Sequence, residues 1–419
     1  MLLSLALLPL FALHFWENHY GKVATSWSAL VIVALVLMFG LSVASTEIAG
    51  TFFHHYLPFV IMIGSLYTIS GGIRIEVASH ATPLVNTSIL AIGTLLAGWI
   101  GTTGASMLLI RPLLHINRDR KSRVHHMIFF IFLVANIGGA LTPLGDPPLF
   151  IGFLNGVSFF WTLENLAFEM VMISVPLLFI FYGMDSYFVR KEGLTFHRSR
   201  PKIRVKGKLN GLLFLGVIGL VLLSGLWKPN LGLSFEIQNV VRDLGLILLA
   251  CVSFFFTPYA IHKANHFSWE PLREVAKLFF GIFMTVIPVL AILDAGLNGA
   301  LAPLVGLVSH NGVPQNGMYF WLSGGLSSIL DNAPTYLVFF HMAGGDASQL
   351  MTTFAKTLEA ISLGAVFMGA MTYIGNAPNF MVKAIAEGQK VPMPSFFGYI
   401  LWSGGILLPL FIILSLIRY

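Results

Sequence analysis

The chain has 419 residues, of which 56% are hydrophobic and only 10% are charged. Ordinary soluble domains have about 25% charged residues, so this composition excludes an ordinary soluble protein and favours one that crosses a membrane many times. The formal net charge of +6 does not indicate nucleic acid as a partner, because the basic residues lie in short loops between apolar segments.

Apolar runs recur along the whole chain, and a spanning helix needs about 20 such residues, so we expect about ten spans. The first run ends near Phe15, contains Pro9 and is short for a span. The single cysteine, Cys251, lies in an apolar run and excludes a disulfide framework. The uninterrupted runs cover 27–45, 52–72, 163–187, 209–227, 240–257, 276–294 and 395–417.

Four further runs carry polar or proline-rich interruptions: "GWIGTTGAS" in 84–114, "LTPLGDPPL" in 125–157, "SSILDNAPT" in 317–343 and "TYIGNAPNF" in 353–387. A straight helix over the second of these would be about 50 Å long, well beyond a hydrocarbon core of about 30 Å. Its three prolines, around Asp146, favour non-helical geometry. The pattern predicts a helix that breaks at Asp146, buried in protein or beside an aqueous cavity.

Two strongly basic segments, 118–123 and 190–208, are expected on the cytoplasmic side, because short cytoplasmic loops carry an excess of lysine and arginine. The second segment could instead bind anionic lipid. If both segments are cytoplasmic, the run 84–114 must begin and end on that side. It is therefore predicted to be a re-entrant hairpin.

The interruptions repeat in the same order in the two halves of the chain. "GGALTPLGDPPLFIG" matches "GAMTYIGNAPNFMVK", with Gly145 against Gly375 and Asp146 against Asn376, about 230 residues apart. Upstream, "WIGTTGASMLL" matches "SSILDNAPTYLV" at nearly the same separation. Each half therefore predicts a hairpin with a polar tip followed by a broken helix. An odd number of crossings per half makes the two halves inverted.

These patterns predict an all-α polytopic membrane protein with two inverted repeats, and paired broken segments are typical of a secondary transporter's binding site. The predicted parts are scaffold spans at 1–83, the first hairpin and broken helix at 84–160, a linking span and basic cytoplasmic loop at 161–208, scaffold spans at 209–294, the second hairpin and broken helix at 295–390, and a final span at 391–419.

Hairpin tips and helix breaks expose carbonyl groups and helix ends near the membrane midplane, where oxygens can replace the hydration shell of a hard cation such as Na⁺. Small polar residues also allow close helix packing, which is the alternative role for several of them. The side chains that supply such oxygens are Thr102, Thr103, Ser106, Thr142, Ser327, Ser328, Asn332, Thr335, Thr372 and Asn376.

Asp146 and Asp331 are the two carboxylates inside the repeated motifs, one in each half. A charge deep in a bilayer costs at least about 2.5–3.5 kcal/mol, so such acids are functional by default. Each could hold either a proton or a cation, which is the chemical basis of exchange, and we predict both as ion-coupling residues. The candidate Na⁺ ligands are Asp146, Thr103, Ser106, Asp331, Asn332 and Asn376.

The remaining acids of the apolar runs fall mostly near predicted span ends, where we expect them at the membrane interface. The histidine pairs His54–His55 and His125–His126 also lie near span ends, and no metal-ligand spacing joins them. The acids are Glu47, Glu164, Glu169, Asp185, Asp294 and Glu359.

In these motifs the chain resembles the ion transporter superfamily, most of all the NhaD-type sodium/proton antiporters and the related citrate-transporter group. The resemblance is strongest in "GTTGASMLLIRP", "GGALTPLGDPPLF", "SSILDNAPTYLVFF" and "TYIGNAPNFMVKAIAEG". It implies a homodimer in which each protomer has a scaffold and a transport domain that moves like an elevator. It also implies sodium-site regions at Thr102–Ser106 with Gly145–Pro147 and at Asp331–Thr335 with Gly375–Ala377. The candidate residues thus added are Gly104, Gly145, Pro147 and Gly375.

The leading hypothesis is a secondary-active Na⁺/H⁺ antiporter of the inner (plasma) membrane, with no cofactor and with Na⁺ and H⁺ as transported ions. The alternative is a Na⁺- or H⁺-coupled carrier of citrate, a dicarboxylate or another oxyanion. Two ionised aspartates would repel such an anion unless cations neutralised them first, which favours the antiporter. A channel does not need two opposed hairpins, and the sequence carries no His-Glu metal motif or Ser/His pairing that would indicate an enzyme.

Overall fold

The structure, a computed structural model, describes residues 1–195, 202–229, 236–294, 299–300, 302–310 and 313–419. Helices dominate the described chain, and seven of its helical segments are long and apolar enough to cross a membrane. This confirms the predicted all-α polytopic membrane class. The seven segments are Asn18–Gly71, Pro83–Ile100, Phe159–Lys191, Lys208–Leu226, Ile237–Phe256, Glu270–Leu293 and Phe396–Arg418.

The α-helices are α1 (Leu2–Phe11), α2 (Leu13–Thr51), α3 (Leu57–Gly71), α4 (Pro83–Ile100), α5 (Thr102–Ile116), α6 (Val124–Leu133), α7 (Pro147–Leu154), α8 (Phe159–Lys191), α9 (Lys208–Leu226), α10 (Ile237–Phe256), α11 (Tyr259–Ala264), α12 (Glu270–Asp294), α13 (Ala302–Val308), α14 (Asn316–Ile329), α15 (Asn332–Met342), α16 (Ala347–Met351), α17 (Ala355–Met368), α18 (Ala377–Gly388) and α19 (Phe396–Arg418). A π-helical turn at Phe52–Tyr56 joins α2 to α3. Single 3₁₀ turns occupy Ile137–Ala140 and Gly369–Met371.

The described chain is divided into two compact units. One contains Met1–Gly64, Pro147–Ser158 and Ser268–Met368, and the other contains Ser65–Asp146, Phe159–Phe267 and Gly369–Tyr419. Each unit therefore takes segments from both halves of the sequence.

Large apolar side chains cover much of the outer surface of the long helices. Leu37, Leu212, Leu248 and Leu416 are 80%, 64%, 63% and 80% exposed. Surfaces that face water rarely carry large contiguous apolar patches, so contact with a bilayer accounts for this surface.

Each of the two broken helices contains a long, fully buried stretch. Every residue of 125–146, which contains all of α6 after Val124 and the following 3₁₀ turn, is buried, and so is every residue of 357–370. Regular helix is absent between Ala140 and Pro147, where the closely spaced prolines of the sequence remove backbone donors. Burial in protein is the condition under which irregular backbone is stable at membrane depth.

Helices α4 and α5 form a hairpin in the second unit. Gly101 alone separates them, with a φ of 83° that favours glycine. At the other end, the Asn86 and Asn117 side-chain amides donate to each other's oxygens at 3.1 and 2.8 Å. The hairpin therefore begins and ends at the same end of this unit.

Helices α14 and α15 form a second hairpin in the first unit. Leu330 and Asp331 separate the two helices at the tip. At the base, the Tyr319 hydroxyl donates to the Met342 carbonyl oxygen at 3.2 Å. Both predicted hairpin segments thus contain two helices with a tight connection at the polar motif.

An antiparallel ribbon pairs β1 (Arg74–Ala78) with β2 (Lys202–Lys206), in a register that sets Arg74 opposite Lys206. The basic composition of 190–208 predicts a loop at 202–206, and the strand differs from that expectation. No local pattern predicts a pairing between segments so far apart in the chain. The ribbon brings the end of α3 beside the start of α9. A short second ribbon pairs β3 (Ser309–His310) with β4 (Val313–Pro314).

Three acids that the sequence places at the interface are buried, so that expectation is wrong for them. Asp185 and Glu169 are 0% exposed and Glu359 is 2% exposed. The hydropathy of the sequence shows where a span ends, but it does not show which cation pairs with an acid and so allows its charge to be buried. Glu47 and Glu164 are exposed, and the side chain of Asp294 lies outside the described residues. The ion pairs are Asp185–Arg120 (2.9 Å), Glu169–Arg418 (2.7 Å) and Glu359–Lys356 (3.4 Å).

Candidate functional site

Asp146 lies in a buried polar cluster of the second unit, and its side chain is 1% exposed. The Thr102 hydroxyl donates a hydrogen bond to Asp146 Oδ1 at 2.9 Å, and Asn376 Nδ2 donates to the same oxygen at 3.0 Å. Thr102 comes from the tip of the first hairpin, and the other two residues come from the two helix breaks. The structure therefore joins Asp146 directly to Asn376, the residue that the repeat alignment makes its equivalent.

Glycines allow the backbones at this cluster to approach closely. The Thr102 N–H donates to the Gly145 carbonyl oxygen at 2.8 Å, which fastens the hairpin tip to the helix break. A Cβ on Gly145 would lie 2.2 Å from the Gly139 carbonyl oxygen, and a Cβ on Gly139 would lie 2.9 Å from Asp146 Cβ. Both positions require glycine, because a side chain on Gly145 would clash with the backbone of the break, and one on Gly139 would meet Thr102 Cγ2 of the tip at 2.7 Å.

The Asn376 amide has a defined orientation. Its Nδ2 donates to the Ala135 carbonyl oxygen at 3.1 Å and approaches Asn136 Oδ1 at 3.3 Å, in addition to its bond with Asp146. Asn136 Nδ2 in turn donates to Asn379 Oδ1 at 2.7 Å, which fixes the direction of the Asn136 oxygen. Asn376 therefore presents its N–H groups, and not its oxygen, to the carboxylate.

Asn136 and Asn379 belong to the site although the sequence analysis does not select them. Both are fully buried, and Asn379 Nδ2 donates to the carbonyl oxygens of Gly369 and Thr372 at 2.8 and 2.9 Å. The sequence offers one signal for them, which is the position of two asparagines in otherwise apolar segments beside the breaks. Their amides satisfy backbone oxygens that the broken helices leave without helical partners.

Thr142 and Thr372 form the same local turn at matching positions of the two breaks. The Leu144 N–H donates to Thr142 Oγ1 and the Ile374 N–H donates to Thr372 Oγ1, each at 3.2 Å. The Thr142 hydroxyl also donates to the Gly98 carbonyl oxygen, which ties the break to α4. These two candidate ligands thus have a structural role in shaping the breaks.

Asp331 caps the second helix of the second hairpin. Its carboxylate accepts a hydrogen bond from the Ala333 N–H at 3.1 Å, at the N-terminus of α15, and the side chain is 9% exposed. The positive end of a helix stabilises a carboxylate in this position. The Thr335 hydroxyl donates to the Asp331 carbonyl oxygen at 3.0 Å. The fully buried Asn332 follows directly in the chain.

Ser328 connects the tip of the second hairpin to the end of α17, within the first unit. Its hydroxyl donates to the Met368 carbonyl oxygen at 3.1 Å and to the Gly324 carbonyl oxygen at 2.9 Å. The structure therefore brings together Ser328, Asp331, Asn332 and Thr335 on one hairpin of the first unit. It gathers Thr102, Thr142, Gly145, Asp146, Thr372 and Asn376 in the second.

Ser106 has an unused hydroxyl. Its Oγ is buried and finds no hydrogen-bond partner among the described residues. Ser106 lies one helical turn after Thr102, on the same face of α5, and Thr103 is half-buried on the adjacent face. The lone pairs of such a buried hydroxyl oxygen can coordinate a cation.

The remaining candidates act through the backbone. A Cβ on Gly104 would lie 2.5 Å from Ser70 Oγ, so Gly104 permits close packing of α5. Pro147 begins α7, directly after the break. Gly375 is buried in the second break and precedes Asn376.

The donor set around Asp146 suits a hard cation or a proton. One carboxylate, hydroxyl groups and amides offer only oxygen ligands, and a soft metal prefers sulfur or imidazole. No lysine or arginine occurs at 92–110, 124–189, 278–355 or 357–382, which contain all four polar motifs. The motif segments themselves therefore supply negative charge and no compensating side-chain cation.

A family model described as "Putative citrate transport" matches residues 1–419. The chain belongs to this family. A comparison with curated proteins gave no match. The family and the seven candidate spans make the chain a multi-pass membrane protein of a transport family. The match agrees with the superfamily resemblance, and it does not separate a sodium/proton antiporter from a citrate carrier.

Proposed function

We propose that this transporter is a secondary-active Na⁺/H⁺ antiporter that works by alternating access, with Asp146 as the group that holds either ion. The observation that carries the proposal is the buried Asp146 carboxylate, to which the uncharged Thr102 and Asn376 side chains donate. Neither of these two donors carries a charge, so neither neutralises the carboxylate as a proton or a monovalent cation would. Because one carboxylate cannot hold both at once, binding of one ion releases the other.

Exchange at this site requires small rotations of polar groups. A Na⁺ ion at Asp146 needs oxygen ligands, and the Thr102 hydroxyl can donate to the carboxylate while a lone pair accepts the ion. The Asn376 N–H groups face the carboxylate, so Na⁺ entry displaces this hydrogen bond. The nearby break supplies backbone carbonyl oxygens, as broken helices do in secondary transporters.

Asp331 is the second ion-coupling residue of the proposal, and its role as a helix cap allows a sharp experiment. Asparagine caps a helix as well as aspartate does, whereas alanine costs about 1 kcal/mol at such a position. Asp331→Asn should therefore fold with wild-type stability and lose Na⁺-driven proton movement. Asp331→Ala should lose both. Wild-type exchange by Asp331→Asn would show that the residue is only a cap.

The wider proposal follows the superfamily resemblance. It includes a homodimer in the inner (plasma) membrane, a scaffold in contact with the bilayer and a transport domain that moves like an elevator. It involves no cofactor and no enzymatic step. The buried stretches 125–146 and 357–370 contain the first break and lead directly into the second, which supports a role of these segments in binding.

A coupled citrate carrier is the second candidate, because the family description names citrate. Arg111 on α5 supports it: Nη1 of this side chain is buried and finds no hydrogen-bond partner among the described residues. A guanidinium binds carboxylates through paired hydrogen bonds. The opposing consideration is the charge of Asp146 and Asp331, which a citrate carrier would have to neutralise first.

Two parallel measurements on the same proteoliposomes separate the candidates. An inward Na⁺ gradient should drive proton efflux, reported by a pH dye inside the vesicles, and labelled citrate should not accumulate above the level of protein-free liposomes. Citrate uptake that depends on Na⁺ or H⁺, without citrate-independent proton movement, would overturn the antiporter proposal and favour the carrier.

A further inference from the structure

A second buried polar cluster lies at the base of the first hairpin. We call Asn86, Asn117, Arg120, His125, His126 and Asp185 the hairpin-base cluster. Asn86 is about 22 Å along α4 from the Gly101 tip, at 1.5 Å per residue, so the cluster is separate from the Asp146 site. All six side chains are at least nine-tenths buried. The proposed exchange at Asp146 uses none of them.

Asp185 on α8 is the centre of the cluster. Its Oδ1 accepts from Arg120 Nη2 at 2.9 Å and lies 3.0 Å from His125 Nε2, and its Oδ2 accepts from Asn86 Nδ2 at 2.8 Å. His126 Nε2 lies 3.2 Å from Oδ1. One carboxylate therefore connects α4, the turn after α5, α6 and α8.

The charges of the cluster and of Glu192, which lies beside it, do not balance when both imidazoles are neutral. Arg120 supplies one positive charge, and its two acidic partners are Asp185 and Glu192, whose Oε2 lies 3.1 Å from Arg120 Nε. The sum is one excess negative charge in a buried place, where an uncompensated charge is unfavourable. One added proton makes the cluster neutral.

His125 is placed to hold that proton. Its Nε2 faces the Asp185 carboxylate, and its ring stacks on Phe188 with centroids 4.8 Å apart. His126 Nε2 lies 3.0 Å from Asn86 Nδ2, a donor whose orientation the Asn86–Asn117 amide pair determines. A proton on His126 Nε2 would lie beside an amide nitrogen that cannot accept it, and the Asp185 oxygen is farther from His126 (3.2 Å) than from His125 (3.0 Å), so the two adjacent histidines are not equivalent.

α18 packs against α6 and carries the surface pair Lys383–Glu387 (3.1 Å), which is neutral overall; the other elements around the histidines contribute the following groups. α4 contributes the neutral Asn86, and the turn after α5 contributes Arg120 and the neutral Asn117. α6 contributes the two histidines, α8 contributes Asp185 and aromatic rings, and Glu192 follows directly after α8. The titratable groups are thus one guanidinium, two carboxyls and two imidazoles.

A divalent metal is the competing occupant, since His125, His126 and Asp185 each offer one ligand atom within 4.8 Å of the others. The Arg120 guanidinium already lies 2.9 Å from Asp185 Oδ1, where it would repel a metal ion. The positions of Arg120 and of the Asn86 amide nitrogen favour a proton over a metal.

We propose that His125 and Asp185 form a second proton-binding site of this transporter, and that a proton bound there fastens the base of the first hairpin to α6 and α8. Protonation turns the His125–Asp185 contact into an ion pair, and loss of the proton leaves net negative charge that loosens it. Because the same hairpin carries Thr102 at its tip, the cytoplasmic proton concentration would set how freely the tip moves. This link to transport rests on the proposed Na⁺/H⁺ exchange, whereas the proton site does not.

Hydrogen–deuterium exchange on the purified full-length protein tests the proton site without any transport. After correction for intrinsic rates, peptides covering 83–90 and 112–123 should exchange several-fold more slowly at pH 6 than at pH 8. His125→Gln should reduce this ratio to less than about twofold. His115→Gln, an exposed imidazole near the same base, should leave it unchanged.

Three outcomes overturn the proposal. The first is a wild-type hairpin base whose exchange does not depend on pH, a result that needs no variant to fold. The second is His125→Gln protein that keeps the wild-type ratio. The third is a pH effect that disappears in EDTA and returns with Zn²⁺, which would assign the cluster to a metal. If the exchange result holds while proteoliposomes show no Na⁺/H⁺ exchange, the proposed function fails and the proton site remains.

Discussion

Asp146→Asn separates the charge of the proposed ion site from its shape. Thr102 and Asn376 both donate to Asp146 Oδ1, so the carbonyl oxygen of an asparagine at this position can accept the same two hydrogen bonds. The variant should fold, because the substitution is nearly isosteric and removes a buried charge that is costly without an ion. The variant lacks the carboxylate that exchanges a proton for Na⁺.

The size of the expected loss follows from electrostatics. At an effective dielectric constant of 20, two unit charges about 4 Å apart attract by about 4 kcal/mol. Removing the charge of Asp146 should therefore weaken Na⁺ binding by about a thousandfold, at about 1.4 kcal/mol per factor of ten. Exchange driven by Na⁺ should fall to the background of protein-free vesicles.

The assay is the Na⁺-induced recovery of a pH-dye signal in proteoliposomes, with equal amounts of reconstituted protein. Asp346→Asn is the matched control, because Asp346 is an exposed helix cap and asparagine can cap the same helix. The control should behave as wild type. Asp146→Asn protein that exchanges Na⁺ for H⁺ at the wild-type rate would make Asp146 a structural residue and refute the mechanism.

Four further changes test other parts of the account. Thr102→Val should lower the apparent Na⁺ affinity by about tenfold or more, because a hydrogen bond to a charged group is worth about 1.5–3 kcal/mol. Thr102→Ser keeps the hydroxyl and should leave the affinity unchanged. If the two variants have equal effects in flux assays, the hydroxyl does not belong to the site. Asn376→Asp sets two carboxylates about 3 Å apart, which cannot both ionise, so partial activity should remain with its pH optimum shifted upward; an unchanged profile contradicts this contact. Gly145→Ala should destabilise the protein by about 1–3 kcal/mol or more through a clash with backbone, whereas Gly183→Ala, which meets open space, should be neutral in thermal unfolding. Burial alone raises the pKa of Glu192, but hydrogen bonds from the 121–122 backbone and the Arg120 charge hold that pKa below its ordinary value. Glu192→Gln should therefore lower Tm by a few degrees at pH 7, and the difference in Tm should disappear once the pH falls through the depressed pKa. A difference in Tm that stays constant with pH would contradict the lowered pKa.

The membrane class and the breaks were predictable because their physical causes are local. Apolar length predicts a span, and prolines around Asp146 predict a break wherever they fall. The repeated motifs predicted that Asp146 and Asn376 are equivalent, and the structure places a hydrogen bond of 3.0 Å between them. The acids at the motifs were selected by the cost of a charge in a bilayer, which requires no knowledge of the fold.

Other features depend on contacts between distant segments and have no local signal. Asn136 and Asn379 are single asparagines in apolar runs, and only the folded chain shows that they orient Asn376. The burial of Asp185 depends on Arg120, which is 65 residues away in the chain. The β1–β2 ribbon pairs segments from different loops. A pattern read along the chain cannot assign such partners.

Proton release on Na⁺ binding tests the central claim most directly. Titration calorimetry of the purified protein, in two buffers of different ionisation enthalpy at the same pH, counts the protons released per Na⁺ bound. The account predicts close to one proton per Na⁺ at Asp146 in the wild type and a loss of that release in Asp146→Asn. Sodium binding that releases no protons, or proton release that persists in Asp146→Asn, would contradict exchange at this carboxylate.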